Sequence, residues 1–203
     1  MFARRESMKE YIRRYPVVSL VILLNIVMFT VLEVYGSSTD GETLYRFGAM
    51  FGDPYFKPEP WRFVSAMFLH IGFMHLLMNG FALYIFAAPL ERMLGSLRFA
   101  ALYLVSGIVG NIASYLLHQD PFLGAGASGG IYGIYAAYLY ISFLRKDLLD
   151  AGSSATIKTI LIVGAIYSII MPEVDLYGHA GGFAGGFAFT ALLAALIRRR
   201  TQL

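Results

Sequence analysis

The sequence contains no cysteine among its 203 residues, and it carries little charge. Without cysteine, a disulfide framework and cysteine–zinc chemistry are excluded. Charged residues make up 14% of the chain, about half the share that soluble domains carry. The basic residues flank apolar segments instead of forming one face, which argues against nucleic-acid binding. The chain has no HExxH motif, and its four histidines lack carboxylates at ligand spacing, so we expect no metal site and exclude a metalloprotease.

Long apolar runs occupy most of the chain, and 58% of all residues are hydrophobic. Uninterrupted runs favour membrane-spanning helices over barrel strands, in which apolar residues alternate with polar ones. The first run, Val17 to Val34, is too long for a cleaved signal peptide. We therefore expect a single all-α membrane domain over residues 1–203, with six spans of about 20 residues at roughly 16–35, 72–91, 97–117, 128–144, 155–171 and 177–197.

The distribution of positive charge predicts the orientation of these six spans. Of the 16 lysines and arginines, 13 precede the first span, follow the sixth, or lie near the connections after spans two and four. Such basic ends face the cytoplasm, so both termini are expected there. The long connection from Gly36 to Ile71 then lies outside. Its many aromatics indicate either an interfacial aromatic belt or a structured loop half-sunk in the outer leaflet.

Four polar residues on three predicted spans share one depth. Counted up from the basic residue at the inner end of each span, they lie roughly 20 to 28 Å above it, at about 1.5 Å per residue. Because the hydrocarbon core is about 30 Å thick, this layer lies just beneath the outer surface. Polar groups there are costly unless paired or hydrated. The set combines a nucleophile, a base and two hydrogen-bond donors, namely Ser128, His179, His75 and Asn79.

Small residues recur at every fourth position in the fourth and sixth spans, which lets two helix backbones approach closely. These stripes are Gly129, Gly133 and Ala137 in the fourth span, and Gly178, Gly182, Gly186, Thr190 and Ala194 in the sixth. Ser128 and His179 adjoin the outer ends of the two stripes. Packing of one stripe against the other would bring the hydroxyl and the imidazole together.

The surroundings of Ser128 suit a nucleophile. Pro121 and the glycines up to Gly126 prevent an earlier helix start, so Ser128 is expected in the first turn of its span. There the N–H groups lack helical partners and the helix dipole is positive. An oxyanion formed on attack could be bound by the Ser128 N–H together with His75 and Asn79, which lie one turn apart.

His179 is the natural base for Ser128, since an unperturbed imidazole titrates near neutral pH. Asp175 or Glu173 could orient the imidazole as the third member of a triad. Both lie in a short outer loop where solvation is expected, which favours a Ser–His dyad. Tyr132, one turn below Ser128 on the same helix face, could instead pack against the imidazole.

These residues fall into motifs that resemble the rhomboid family of intramembrane serine proteases. "GASG" at Gly126–Gly129 is similar to the family's GxSG motif, and "HAGGFAGG" at His179–Gly186 is similar to its HxxGxxxG motif. "HLLMN" at His75–Asn79 resembles HxxxN, and "WR" at Trp61–Arg62 resembles the motif of the first loop. Tyr132 also fits the pattern. The motifs appear in the family's order over about residues 17 to 197.

The resemblance implies the minimal six-helix form of a prokaryotic cell membrane. It implies cleavage of the transmembrane segments of other membrane proteins near the outer face, with no cofactor and with substrate proteins and lipid as partners. The first loop would lie partly in the membrane, and span five with the loop "MPEVDLYG" would form a mobile lateral gate and cap. The oligomeric state stays open. The implied site comprises nucleophile Ser128, base His179, an oxyanion site of His75, Asn79 and the Ser128 N–H, and supporting residues Gly126, Gly129, Tyr132, Gly182, Gly186, Trp61 and Arg62.

Two other functions compete with proteolysis. A catalytically silent relative could act as a membrane chaperone or binding protein, but such relatives usually lack the serine or the histidine, and this chain keeps both. A small transporter would place its polar layer near the bilayer midplane and show inverted repeats. Neither feature is evident in the sequence.

Overall fold

The computed structural model describes residues 6–53, 57, 59–144, 150–171 and 174–200, with the backbone alone at 199 and 200. This part of the chain is mostly helical and contains one short antiparallel sheet, of β1 (Met50–Gly52) and β2 (Phe122–Gly124). Its helices are α1 Met8–Arg14, α2 Pro16–Tyr35, α3 Gly41–Arg46, α4 Arg62–Ser65, α5 Gly72–Ala82, α6 Ala88–Leu94, α7 Ser96–Leu117, α8 Ser128–Leu144, α9 Ala151–Ile170 and α10 Leu176–Arg200.

Five segments within the described ranges are long and apolar enough to cross a membrane as helices. They are Pro16–Tyr35, Gly72–Leu94, Ser96–Leu117, Ala151–Ile170 and Leu176–Arg198. The remaining expected span coincides with α8, which has 17 residues and is about 25 Å long at 1.5 Å per residue. The architecture is therefore a helical membrane bundle.

The second of these segments is not a uniform α-helix. Between α5 and α6, residues Leu83–Ala87 form a π-helical turn, and Pro89 follows immediately. Proline lacks an N–H group, and its ring collides with the carbonyl four residues earlier. Widening of the turn to a π-helix accommodates that collision, and α5, which carries His75 and Asn79, lies above it.

Helix α8 is the centre of the bundle, with ten of its 17 residues buried. The two predicted glycine stripes are in contact here. A Cβ atom on Gly182 would lie 2.2 Å from the Gly129 carbonyl oxygen, and one on Gly186 would lie 2.4 Å from the Cα of Gly133. Helix α7 joins the contact through Gly110, where a Cβ would lie 2.6 Å from the Gly178 carbonyl oxygen. Three backbones thus meet beside Ser128.

The described part of the connection between α2 and α5 packs against α2 in a small core, formed by Leu32 of α2 with Leu44, Ala49 and Leu69 of the connection. Strand β1 from this segment pairs with β2, which lies just before α8. The Gly126 N–H also donates to the Ala66 carbonyl at 2.9 Å. The described part of this connection therefore holds the chain that leads into Ser128.

A buried carboxylate joins three helices at the other end of the bundle. Glu91, 1% exposed, accepts hydrogen bonds from the N–H groups of Val17 at 3.1 Å and Val18 at 2.9 Å. It also accepts one from the Ser96 hydroxyl at 2.7 Å. Glu91 of α6 therefore caps the N-terminus of α2, whose first N–H groups have no partner within their own helix.

Candidate active site

Ser128 is the first residue of α8, as its flanking glycines predicted. Gly126, two residues earlier, has φ of +142°, a conformation that residues with a Cβ rarely adopt. A Cβ there would lie 2.8 Å from His75 Cε1 and 3.6 Å from the Ser128 Oγ. The imidazole of His75 and the hydroxyl of Ser128 therefore flank the same glycine, and no side chain separates them at that point.

Helix α5 supplies His75 and Asn79 to this region. The Ile71 N–H donates to His75 Nδ1 at 3.4 Å, which leaves the proton of the neutral ring on Nε2. His75 Nε2 lies on the Gly126 side of the ring. Asn79 is buried, and its Nδ2 donates to the His75 carbonyl at 2.9 Å. The second amide hydrogen of Asn79 stays available to a ligand.

His179 lies in the first turn of α10, at the same end of the glycine contact as Ser128. Its ring stacks on Tyr132 of α8, with centroids 4.1 Å apart and planes inclined by 14°. Its Nδ1 lies 2.8 Å from the Ser168 hydroxyl of α9. Three helices therefore determine the orientation of this imidazole. Tyr132 packs against it as the sequence indicated, whereas Ser168 was not anticipated.

Ser128 and His179 adjoin a helix contact in which the backbones nearly touch, but no hydrogen bond joins their side chains in the described part of the chain. Hydrogen bonds between catalytic groups are often long in the unliganded state and shorten when substrate binds. Within the described residues, the Ser128 hydroxyl makes no hydrogen bond.

Asp175 caps the helix that carries His179. Its Oδ1 accepts from the Gly178 N–H at 2.7 Å, and its Oδ2 accepts from the hydroxyl of Ser114 on α7. The carboxylate is half-buried and fixes α10 to α7, instead of lying solvated in a loop. Within the described residues, no hydrogen bond joins this carboxylate to the imidazole of His179. Glu173, the other candidate third member, lies outside the described residues.

His70 is a further residue of this region that sequence analysis left without a role. It is fully buried, and its ring meets that of His75 edge to face at 5.1 Å. Burial, with His75 close by, lowers the pKa of His70 to about 3, so the ring is neutral. A neutral ring at His70 adds no positive charge beside His75.

Trp61 and Arg62 act at the loop, away from the imidazoles. Arg62 is 5% exposed and donates to the carbonyls of Tyr45 at 2.6 Å and Ala49 at 3.1 Å. It forms a 2.6 Å ion pair with Glu59, and its guanidinium lies over the rings of Tyr45 and Trp61. These contacts stabilise the folded loop that holds the segment before Ser128.

The arrangement as a whole offers a hydroxyl, an unprotonated nitrogen and nearby N–H donors, a set suited to acyl transfer. Among the described residues, no three carboxylate or imidazole groups converge as metal ligands.

Known proteins are similar to this sequence over most of its length. A family model described as the Rhomboid domain matches residues 57–196. A Bacillus subtilis (strain 168) protein named "Putative rhomboid protease YdcA" is 35% identical over 204 aligned residues, which cover 98% of this chain and 100% of that protein.

Two further relatives are longer than this chain. "Rhomboid protease GluP" of Bacillus subtilis is 39% identical over 174 residues, which are 86% of this chain and 34% of GluP. "RHOMBOID-like protein 7" of Arabidopsis thaliana is 35% identical over 153 residues, 74% of this chain and 49% of that protein. The family model covers more than half of the chain and YdcA aligns over its full length, so this chain, an integral multi-pass membrane protein, belongs to the rhomboid family.

Proposed function

We propose that the protein is an intramembrane serine endopeptidase that cleaves transmembrane segments of other membrane proteins near the outer face. The observation that carries the proposal is the contact of α8 with α10. It sets Ser128 and His179 at the same end of two touching backbones, with the imidazole stacked on Tyr132. Relatives named as rhomboid proteases support the same reaction class.

In the proposed reaction, Ser128 Oγ attacks the scissile carbonyl carbon while His179 Nε2 accepts the hydroxyl proton. The carbonyl oxygen becomes an oxyanion, which the Ser128 N–H, His75 Nε2–H and Asn79 Nδ2–H bind. The imidazolium then returns its proton to the leaving amine, and the C–N bond breaks to give an acyl-serine. Water, deprotonated by the same imidazole, hydrolyses the ester and restores Ser128.

The proposal includes six spans with both termini in the cytoplasm and the site near the outer face. Helix α8 is short because Ser128 begins it below the outer surface, so a water-accessible cleft must lie above Ser128. The proposed site then lies inside the bundle. A substrate helix must unwind locally before its peptide bond can reach the Ser128 hydroxyl.

The decisive experiment is cleavage of a single-span model substrate by the purified protein in proteoliposomes. Ser128→Ala should lower the rate by several orders of magnitude, as loss of the nucleophile does in serine proteases. Ser142→Ala is the matched control, because Ser142 lies on the same helix and its hydroxyl donates to the Leu139 carbonyl at 2.9 Å. Equal rates for Ser128→Ala and wild type would refute the assignment.

A fluorophosphonate probe tests the site without a known substrate. Wild type should be labelled at Ser128, and His179→Ala should lose the labelling because the hydroxyl is unreactive without a base. A catalytically silent chaperone would fold, bind membrane segments and remain unlabelled. Labelling that persists in His179→Ala would remove the base role from His179.

A further inference from the structure

Helix α9 contributes one buried polar side chain to the site. Its described buried residues are Ser153, Ile157 and Ser168, and only 17% of its most apolar stretch is buried. Ser168 is 4% exposed and lies 2.8 Å from His179 Nδ1. A largely exposed apolar helix therefore places one buried hydroxyl against the ring proposed as the base.

The hydrogen bonds around Ser168 determine where the protons lie. A serine hydroxyl has one hydrogen and two lone pairs, and Ser168 Oγ has three polar neighbours. These are the Gly164 carbonyl at 2.8 Å, His179 Nδ1 at 2.8 Å and the Tyr132 hydroxyl at 3.2 Å. With the serine hydrogen donated to the Gly164 carbonyl, which can only accept, the two lone pairs are left to accept from Nδ1–H of His179 and from the Tyr132 hydroxyl.

The neutral ring of His179 then has its proton on Nδ1 and a free lone pair on Nε2. Nε2 is the nitrogen that the proposed reaction needs as the base toward Ser128. When the ring gains a second proton, Nδ1–H still donates to Ser168, so the same contact also stabilises the imidazolium. In serine proteases with a catalytic triad, a carboxylate accepts the hydrogen bond from Nδ1–H of the histidine.

Gly164 permits this contact. A Cβ on Gly164 would lie 2.6 Å from the Tyr132 hydroxyl, so a larger residue would push α9 away from Tyr132. Gly164 and Ser168 are one helical turn apart, and together they form the surface of α9 that meets Tyr132 and His179.

We infer that Ser168 is a positioning residue that holds His179 in the Nδ1–H tautomer and so keeps Nε2 free to act as the base. The inference rests on the proposed function, since it gives Ser168 its role through His179. It assigns the third position of the catalytic set to a neutral hydroxyl on α9, in place of Asp175, which caps α10.

Two readouts test this role in the full-length protein in lipid. The first is the ¹⁵N NMR spectrum of histidine-labelled protein, which distinguishes protonated from unprotonated ring nitrogens. Wild type should show His179 with Nδ1 protonated and Nε2 unprotonated. Ser168→Ala should show a mixture of both tautomers, because the acceptor that selects one of them is gone.

The second readout is the kinetics of cleavage. Ser168→Ala should lower kcat about tenfold, the effect expected when one hydrogen bond is lost, with KM unchanged because substrate does not touch Ser168. Ser168→Thr, which keeps the hydroxyl, should keep the wild-type tautomer and recover most of kcat. Thr156→Val is the matched control, since it deletes a hydroxyl of α9 that bonds to the Gly152 carbonyl at 2.9 Å, away from the site.

The outcomes separate this inference from the proposed function. An active wild type whose Ser168→Ala variant keeps both the Nδ1–H tautomer and the full kcat would overturn the role of Ser168 and leave the protease intact. A wild type that neither cleaves nor reacts with fluorophosphonate would refute the protease. In that case the NMR spectra would still show whether Ser168 selects the tautomer of His179. If Ser168→Ala kept the wild-type tautomer, the positioning role of Ser168 would be overturned too.

Discussion

Replacement of Gly182 by alanine tests the helix contact on which the site depends. The added Cβ would lie 2.2 Å from the Gly129 carbonyl oxygen and 2.8 Å from the Gly129 Cα. Both are backbone atoms, so no side-chain rotation relieves the collision. Ordinary contact begins at 3.4 Å, and the two helices must therefore separate by about 1 Å or more at the turn that adjoins Ser128 and His179.

The expected loss of activity exceeds the expected loss of stability. Overpacking costs about 1–3 kcal/mol, but alanine in place of a helical glycine recovers about 1 kcal/mol, so the free energy of unfolding should fall by only ~1 kcal/mol. A displacement of about 1 Å between reacting groups lowers the rate on the order of a hundredfold. Cleavage assays and equilibrium unfolding of Gly182→Ala in the same lipid mixture measure both quantities.

Gly80→Ala is the matched control for this prediction. Gly80 is also a helical glycine, but a Cβ there meets nothing within 4 Å. The control should gain about 1 kcal/mol of stability and keep its activity. If Gly182→Ala cleaves substrate as fast as wild type, the close approach of α8 and α10 does not position the reacting groups, and the geometric basis of the proposed function fails.

Two further predictions concern carboxylates outside the site. Glu91→Ala should lower the free energy of unfolding by about 2–3 kcal/mol, because two buried N–H groups of α2 lose their acceptor. Glu91→Gln, which keeps one acceptor oxygen, should lose less in the same unfolding assay. Asp40 accepts hydrogen bonds from the hydroxyl and N–H of Thr43, which lower its pKa. The contribution of Asp40 to stability is therefore complete above about pH 4, which is near the pKa of aspartate in the unfolded chain. It is lost as pH falls through the folded pKa. Asp40→Asn should consequently flatten the decline of thermal stability below about pH 4, and an unchanged decline would contradict this assignment.

The parts of the fold that sequence analysis anticipated are those set by short-range periodicity. Runs of apolar residues locate the helices, and the four-residue spacing of glycines correctly paired α8 with α10. The start of α8 at Ser128 was also predictable, because Pro121 and the glycines before it exclude helix. Each of these features depends on neighbours within one or two turns of the same chain segment.

The features that were missed depend on residues far apart in the sequence. Glu91 meets Val18 across 73 positions, and nothing near either residue indicates the other. Gly107 and Gly110 of α7 join the glycine contact, but they lie three positions apart and do not form the four-residue stripe seen in α8 and α10. From the sequence, Ser168 resembles any serine in an apolar helix whose hydroxyl donates to the backbone of its own helix. It does make that bond, to the Gly164 carbonyl. Its bond to His179 exists only because α9 and α10 pack side by side.

The position of Ser128 at the beginning of its helix explains why this hydroxyl, among several in the bundle, suits catalysis. Hydroxyls within the helices donate to the carbonyl four residues earlier, as Ser106 does to Leu102 and Thr190 to Gly186, and such a bond consumes their only hydrogen. Ser128 has no preceding helical turn, so its hydrogen is not committed in this way and can pass to a base. The same helix start leaves its N–H without a helical partner. A helix that begins inside the bundle would therefore supply both the proposed nucleophile and one of the proposed donors to the oxyanion.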